Sequence, residues 1–256
     1  MQARGAGAPN ISVQTIRRRL HQAGLRSRIS AEKLHLLNRH VRARLQWVRE
    51  KQNFTQAQWD TCLFSDESRF CLAQGDRRHR VWRRRHERRN ALPFIRRREL
   101  FGGGGIMVWG GISKNGKTDL VIIDGNLTAR RYRDEILETH VRPYAGAVGP
   151  EFILVDDNAR PHRGFQCDAY LEHEGIERMV WPAKSPDMNP IEKIWAIMKW
   201  HVHRRLRPFH TLLDLRRIVR EEWQNIPIET VNNCINSMPR RVAQCVQYNG
   251  AHTDYF

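Results

Sequence analysis

The run FILVDD at residues 152–157 constrains the fold more than any other segment, because four apolar residues precede two aspartates. Helical patterns flank it, at about residues 128–140 and 164–174. An apolar strand between helices is typical of a parallel strand that is covered on both faces. Upstream, the runs TCLFSDESRFCLA, IMVWGGIS and TDLVIIDG predict three consecutive strands, mainly antiparallel. The order predicts an α/β fold with a mixed sheet flanked by helices.

Helical spacing elsewhere predicts the remaining elements. A short helix over residues 13–23 is expected, with Ser12 as N-cap, Gly24 as the stop signal and Ile16, Leu20 and Ala23 on its apolar side. Further helices are expected over about residues 30–52, from Pro190 onward, and over about 211–223 and 229–243. The segment RMVW predicts one more short strand.

The charge of the chain indicates a polyanionic partner. Of its 256 residues, 44 are Lys or Arg and 27 are Asp or Glu, which gives a formal charge of +17. No apolar run approaches the ~20 residues that a membrane span needs, so nucleic acid is favoured over a membrane. The five cysteines are scattered without a CxxC pair, which favours a reducing, intracellular compartment over a disulfide or zinc framework. No signal peptide is recognised at the start of the chain.

A polar insert over residues 74–105 separates the first two predicted strands. It is too long for an ordinary hairpin loop, and loops of this kind are usually functional or disordered. Its basic and aromatic residues predict contact with a DNA backbone and base stacking, although a solvated charged face remains the alternative. These residues are Arg77, Arg78, Arg80, Trp82, Arg83, Arg84 and Arg85.

Three acids are candidates for holding hard divalent cations, which select oxygen ligands. Asp66 is expected to end or interrupt the first strand, Asp157 follows the apolar strand, and Glu192 lies in the first turn of a late helix. Each has a structural alternative: Asp66 as a turn residue or a partner of Arg69, Asp157 as a turn cap, and Glu192 in a capping box with Asn189. His162 either orients a phosphate or caps its turn.

Four segments, FSDESRF, MVWGGIS, VDDNARPH and WPAKSPDMNPIEKIW, closely resemble the catalytic domain of Tc/mariner transposases. The resemblance assigns Asp66, Asp157 and Glu192 as the catalytic and metal-binding acids, with Asn158 and His162 as supporting residues. Thirty-four residues lie between Asp157 and Glu192, and the third acid is a glutamate, which resembles the Tc-type branch rather than the mariner branch.

The resemblance also implies an architecture and a chemistry. It implies a ribonuclease-H-like catalytic domain over residues 55–256, a helical connector over 29–54, and a remnant of the second helix-turn-helix over 1–28, where Arg17 and Arg18 contact DNA. The first helix-turn-helix and the start of the second are expected to be missing. Two Mg²⁺ or Mn²⁺ ions are implied, one shared by Asp66 and Asp157 and the other by Asp66 and Glu192.

The implied reaction is cut-and-paste transposition with insertion at TA dinucleotides. The expected partners are double-stranded DNA and a second copy of the chain, the expected location is the nucleus, and neither a membrane nor a small-molecule cofactor is expected. Two alternatives stay open: a truncated or domesticated relative that binds DNA without cutting it, and a ribonuclease-H-type nuclease without strand transfer.

Overall fold

The computed structural model describes residues 11–29, 31–32, 34–72, 80–83, 95–96, 104–114, 116–205 and 211–255. The chain divides into two compact units. One comprises Met1–Lys33 and Asp76–Arg98, and the other comprises Leu34–Gly75 and Glu99–Phe256. Most of the Arg-rich insert therefore belongs to the same unit as the N-terminal segment, although strands of the second unit flank it in sequence.

The first unit begins with helix α1, Val13–Gln22, whose N-terminus is capped as expected: Ser12 Oγ accepts a hydrogen bond of 3.1 Å from the Thr15 amide. Gly24 follows the helix with a φ of 77°, a left-handed conformation that glycine adopts without strain. No residue of α1 is buried, so the expected packing of its apolar side is not found among the described residues.

Two short ladders join the N-terminal segment to the insert. Strand β1, Arg26–Ile29, pairs antiparallel with β4, Arg80–Arg83. Strand β2, Ala31–Glu32, pairs in parallel with β5, Ile95–Arg96. The prediction of one helix over about residues 30–52 was therefore wrong at its start, because pairing with a distant segment overrides the local helical pattern there. The helix itself, α2, spans Asn38–Lys51.

The second unit contains a mixed six-stranded sheet. Its strands are β3 Cys62–Cys71, β6 Gly105–Ser113, β7 Gly116–Lys117, β8 Val121–Ile123, β9 Ile153–Val155 and β10 Glu177–Arg178. They lie in the order β10-β9-β3-β6-β7, with β8 also pairing with β6. β3 pairs antiparallel with β6, while β9 runs parallel to both β3 and β10. The predicted antiparallel group and the parallel apolar strand are both confirmed.

Side chains that alternate along the strands enter two separate cores. Leu63, Trp109 and Leu154 belong to one buried cluster, whereas Phe64, Val108 and Val155 belong to the other. This period of two explains why the strand sequences are apolar on both faces: helices cover the sheet on each side.

The helices of this unit are α3 Gln56–Asp60, α4 Ala129–Arg131, α5 Arg142–Val148, α6 Phe165–His173, α7 Ile191–Arg205, α8 Leu212–Gln224, α9 Ile228–Ile235 and α10 Met238–Gln247. A π-helical stretch, Tyr132–Val141, joins α4 to α5. Each helix predicted after residue 120 is present, although the one expected over about residues 229–243 is divided into α9 and α10. Of the strand predicted at RMVW, only Arg178 lies in a strand, as the second residue of β10. None of the helices in the described ranges is long and apolar enough to cross a bilayer.

Candidate active site

Asp66 lies in the middle of β3 rather than at its end, which corrects the sequence prediction. The strand continues because β6 pairs with it on both sides of this position, and Gly110 is the residue opposite Asp66. A Cβ atom at Gly110 would lie 2.9 Å from the Trp223 ring and 3.2 Å from the Trp195 ring. The glycine thus makes room for two stacked indoles, and Trp195 Nε1 donates a hydrogen bond of 3.1 Å to Asp66 Oδ2.

The Asp66 carboxyl lies among other acids. Burial raises its pKa well above the ordinary value, and the negative charges of Glu192, Glu67 and Asp157 raise it further. Glu192 and Asp157, the other two acids that the sequence singled out, therefore lie close enough to act on the charge of Asp66, as does Glu67. Like charges at close range disfavour ionisation unless a cation compensates them.

Asp157 follows β9, two residues beyond Val155, whose partner on the parallel strand β3 is Phe64. The same register carries Asp157 to the level of Asp66. Its Oδ1 accepts a hydrogen bond of 2.7 Å from the Ala159 amide and lies 2.9 Å from His162 Nδ1. Partial burial, the largest single influence, would raise its pKa, but the hydrogen bond and charge of His162, the Ala159 amide and the charge of Arg163 together outweigh burial and lower the pKa of Asp157.

His162 contacts two carboxylates, those of Asp157 and Glu67. Its side chain is 2% exposed, its ring centre lies 4.1 Å from that of Tyr132, and Nε2 lies 3.1 Å from Glu67 Oε1. Burial alone would lower the pKa of His162, whereas the hydrogen bonds to Asp157 and Glu67 raise it to about 10. The ring is therefore an imidazolium at neutral pH, with both nitrogens donating. His162 is therefore a buried residue that binds the carboxylates of Asp157 and Glu67, and it does not cap an exposed turn.

Glu67 is the acid that sequence reasoning passed over. Strand alternation places it on the opposite face of β3 from Asp66, where His162 reaches it. The available signal was this alternation combined with His162 in the loop after the apolar strand, but nothing in the linear sequence pairs Glu67 with His162.

Asp156 and Asn158, on either side of Asp157, have structural roles. Asp156 is 1% exposed, and its Oδ1 lies 2.9 Å from Arg163 Nη1, although this contact lacks hydrogen-bond geometry. Burial raises the pKa of Asp156. Asn158 donates to the Trp181 carbonyl oxygen at 2.8 Å and accepts from Arg163 Nε at 3.1 Å. These two hydrogen bonds of Asn158 stabilise the loop that follows β9.

Glu192 lies in the first turn of α7, as predicted, and the start of this helix is tied to β3. Asn189 Oδ1 accepts from the Ile191 amide at 3.3 Å, and Asn189 Nδ2 donates to the Ser65 carbonyl oxygen at 3.1 Å. In a capping box the Glu192 carboxylate would accept from the Asn189 amide, but that amide donates to the Pro186 carbonyl oxygen at 3.0 Å. The influence of Glu192 on Asp66 favours the site over the cap.

The described residues contain no group of three or more His, Cys, Asp and Glu side chains already gathered in the arrangement of a metal site. Trp195 holds the Asp66 carboxylate and His162 holds that of Asp157. The acids are thus neighbours whose carboxylates are oriented by other side chains.

The predicted DNA-binding residues belong to the first unit, whereas the three acids belong to the second. Arg17 and Arg18 are exposed on α1. Arg80, Trp82 and Arg83 belong to β4, so the backbone of this part of the insert is ordered in a ladder with β1. Arg77, Arg78, Arg84 and Arg85 lie outside the described residues.

Similar proteins are found over almost the whole chain. Residues 61–216 match the DDE superfamily endonucleases, and residues 4–53 match a transposase family named for the Tc3 helix-turn-helix. The Tcb2 transposase of Caenorhabditis briggsae is 32% identical over 246 residues, which cover 95% of this chain and 88% of that protein.

Two solved structures share the fold. The Mos1 transposase paired-end complex with left transposon end has a TM-score of 0.71 at 18% identity, covering 94% of this chain and 72% of that chain. The Mos1 mariner paired end complex with Mn has a TM-score of 0.69 at 19% identity, covering 95% and 72%. The likeness extends to the isolated Mos1 catalytic domain and confirms the prediction of a ribonuclease-H-like sheet flanked by helices.

Proposed function

This chain belongs to the Tc1/mariner family of DDE transposases, and we propose that Asp66, Asp157 and Glu192 form the site at which it cuts and joins DNA. The family membership makes it a cut-and-paste transposase. The observation that supports the residue assignment is the raised pKa of Asp66, which burial and the charges of Glu192 and Asp157 both produce.

The donor set fits hard divalent cations such as Mg²⁺ or Mn²⁺. It offers carboxylate oxygens only, and a cation among them would relieve the repulsion that now disfavours the Asp66 charge. Asp66 and Asp157 would hold one ion, and Asp66 and Glu192 the other. When bound, such ions supply activation of the attacking oxygen and stabilisation of the leaving one during displacement at phosphorus.

The residues of the chain around the acids fix the positions of the carboxylates. Trp195 orients Asp66, and the Ala159 amide together with His162 orients Asp157. Asn189 ties the start of α7, and with it Glu192, to the backbone of β3 beside Asp66. His162 also neutralises Glu67, so that this acid adds less negative charge to the site.

The substrate of this site is double-stranded DNA at transposon ends, followed by target DNA at TA dinucleotides, and the working unit is a pair of transposases. Three facts support this proposal: the charge of +17, the transposon-end DNA in the Mos1 complex, and the paired-end arrangement that its name describes. The nucleus is the location that such a substrate requires in a eukaryotic host.

A strand-joining assay tests the assignment. The protein is incubated with Mn²⁺ or Mg²⁺, a duplex that carries a pre-cut 3′-hydroxyl end, and a target plasmid. Joined products are expected for the wild type, and a loss of at least about a thousandfold, equivalent to about 4 kcal/mol of barrier, is expected for Asp66→Asn, Asp157→Asn and Glu192→Gln.

Glu172→Gln is the matched control, because Glu172 is an exposed acid on α6 of the same unit. Joining that persists in Asp157→Asn and Glu192→Gln would overturn the site. DNA binding by the wild type without any cutting or joining would instead favour a relative that only binds DNA.

A further inference from the structure

The solvent face of α7, the helix that carries Glu192, combines basic and aromatic side chains. The buried residues of α7 are Ile191, Ile194, Trp195, Met198 and Val202. On the opposite side of the helix, Lys193, Trp200 and Arg204 follow one another at spacings of seven and four residues. We call these three residues the α7 outer row. At about 1.5 Å per residue, the row extends along about 16 Å of helix that starts beside the catalytic acid.

Trp200 is the most unusual member of the row. It is 55% exposed, and its indole offers a large apolar surface with a polar N–H, a combination that is enriched at interfaces. Arg204 Cζ lies 4.5 Å from the centre of the Trp200 ring, and the His201 ring meets it edge-on at 4.8 Å. The guanidinium and the indole are thus arranged together before any partner binds, which lowers the entropy that binding costs.

No acid among the described residues neutralises the positive charge of the row. Within the described part of the chain, neither Lys193 nor Arg204 forms an ion pair. The next residue provides a direct contrast, since Arg205 Nη1 lies 2.7 Å from Glu222 Oε1 and its other nitrogen contacts Glu221. At the end of α7, Arg205 is thus paired with acids of α8, whereas Arg204 is exposed to solvent.

Resting on the proposed function, we propose that the α7 outer row binds the backbone of the duplex DNA that leads away from the cleaved bond. Lys193 and Arg204 would contact phosphates, and the Trp200 indole would pack against a sugar or an unstacked base between them. Duplex DNA carries one charge per about 1.7 Å of axis, so the row matches several phosphates in length. The matching charge and the proximity to Glu192 favour DNA over a second protein chain.

The test measures binding without chemistry. Anisotropy of a fluorescently labelled duplex is recorded with the full chain in EDTA at several salt concentrations. Each phosphate contact contributes about 0.9 to the slope of log K against log salt. The double variant Lys193→Gln/Arg204→Gln should therefore lower the slope by about 1.8, whereas Trp200→Ala should weaken binding about tenfold at an unchanged slope and Trp200→Phe should restore most of it.

Arg130→Gln is the matched control, because Arg130 is a cation with an 80% exposed side chain on α4, over the other face of the sheet. Affinities and slopes of the outer-row variants that equal those of Arg130→Gln would overturn the proposal. Loss of a dimer in the same variants, with DNA affinity per chain unchanged, would also overturn it and identify a protein interface. Failure of the proposed function looks different: binding and slopes would remain as described while the wild type joined no DNA.

Discussion

Two aspartates in the same unit, the buried Asp187 and the half-buried Asp66, have opposite electrostatic environments. Asp187 is fully buried and receives a two-pronged contact from Arg44, at 2.7 and 2.8 Å, and a hydrogen bond of 2.7 Å from the Thr253 amide. Burial would raise its pKa, but His252 and Arg44 lower it far below the ordinary value. Burial also acts on Asp66, yet there the neighbouring charges are acids and its pKa rises.

Asp187 belongs to an ion pair that stabilises the fold, whereas Asp66 belongs to the candidate active site. The chain supplies the counter-charge of Asp187, and the contact ties α2 and the C-terminal segment to the loop that precedes α7. Arg241 adds a hydrogen bond of 2.7 Å to the Asp187 carbonyl oxygen. For Asp66 the described residues supply the Trp195 indole and the Glu67 backbone as donors, and three neighbouring acids. A half-buried acid that no described cation pairs with is suited to receiving a metal ion.

The largest stability effect is expected from Arg44→Met, which leaves Asp187 buried and unpaired. Removing one partner of a buried ion pair costs about 3–5 kcal/mol. Urea unfolding should therefore show a large fall in the midpoint. Arg205→Met, which breaks a partly exposed pair on α7, should cost less than about 1 kcal/mol. Equal shifts for the two variants would remove the structural role assigned to the Arg44–Asp187 pair.

Metal binding should stabilise the wild type and not Asp66→Asn. At a free Mn²⁺ concentration about 100 times Kd, binding to the folded state alone adds about 2.7 kcal/mol to the free energy of unfolding. Differential scanning fluorimetry with and without Mn²⁺ measures the shift in Tm. Glu172→Gln serves again as the control and should keep the full shift. A shift of the same size in Asp66→Asn would place the metal elsewhere.

Without metal, the two aspartates should give opposite pH dependences. The folded pKa of Asp66 is raised, so its burial destabilises the protein increasingly as pH rises above the ordinary Asp pKa of about 3.9. Asp66→Asn should then be more stable than the wild type, and the difference in the free energy of unfolding should grow by about 1.4 kcal/mol for each pH unit until the folded pKa is reached.

The folded pKa of Asp187 is lowered, so its contribution to the free energy of unfolding is present above about pH 3.9 and is lost as pH falls towards the folded value. Asp187→Asn should therefore be less stable at neutral pH, with a difference that shrinks in acid.

Chemical denaturation of both variants from about pH 3 to about pH 8, a range that spans the ordinary Asp pKa, measures these differences. A destabilised Asp66→Asn at neutral pH would show that the chain already neutralises Asp66, and the contrast with Asp187 would fail.

The smallest effect is expected from Trp195→Phe, which removes the indole hydrogen bond to Asp66. A single hydrogen bond contributes about 1 kcal/mol, so Mn²⁺ affinity should fall about fivefold as Asp66 loses its fixed orientation. Trp223→Phe is a close control, because Trp223 stacks on Trp195 but donates to the Thr118 carbonyl oxygen at 2.8 Å. Titration calorimetry with Mn²⁺ should distinguish the two. Equal losses of affinity would attribute the effect to packing.

Much of the second unit could be predicted because its signals are local. The four apolar residues before Asp156 predicted a buried parallel strand, and β9 is one. Helix α7 begins where Pro190 and Glu192 indicated it would. The failures were non-local. Residues near Ala31 follow a helical pattern in sequence but pair with residues near Ile95, and Asp66 looked like a strand end because its partner Gly110 lies 44 positions away.

The amino-acid sequence by itself determined the order of most elements in the second unit and the family, and it predicted the three acids, because periodicity and motif spacing act over a few residues or a fixed interval. Only the tertiary structure decided how each acid is charged and held. Trp195 reaches Asp66, His162 links Asp157 to Glu67, and Arg44 neutralises Asp187, in each case from another element. The pKa of a buried carboxyl depends on whatever charges the fold brings within a few ångströms, and that proximity is not written in the residues beside it.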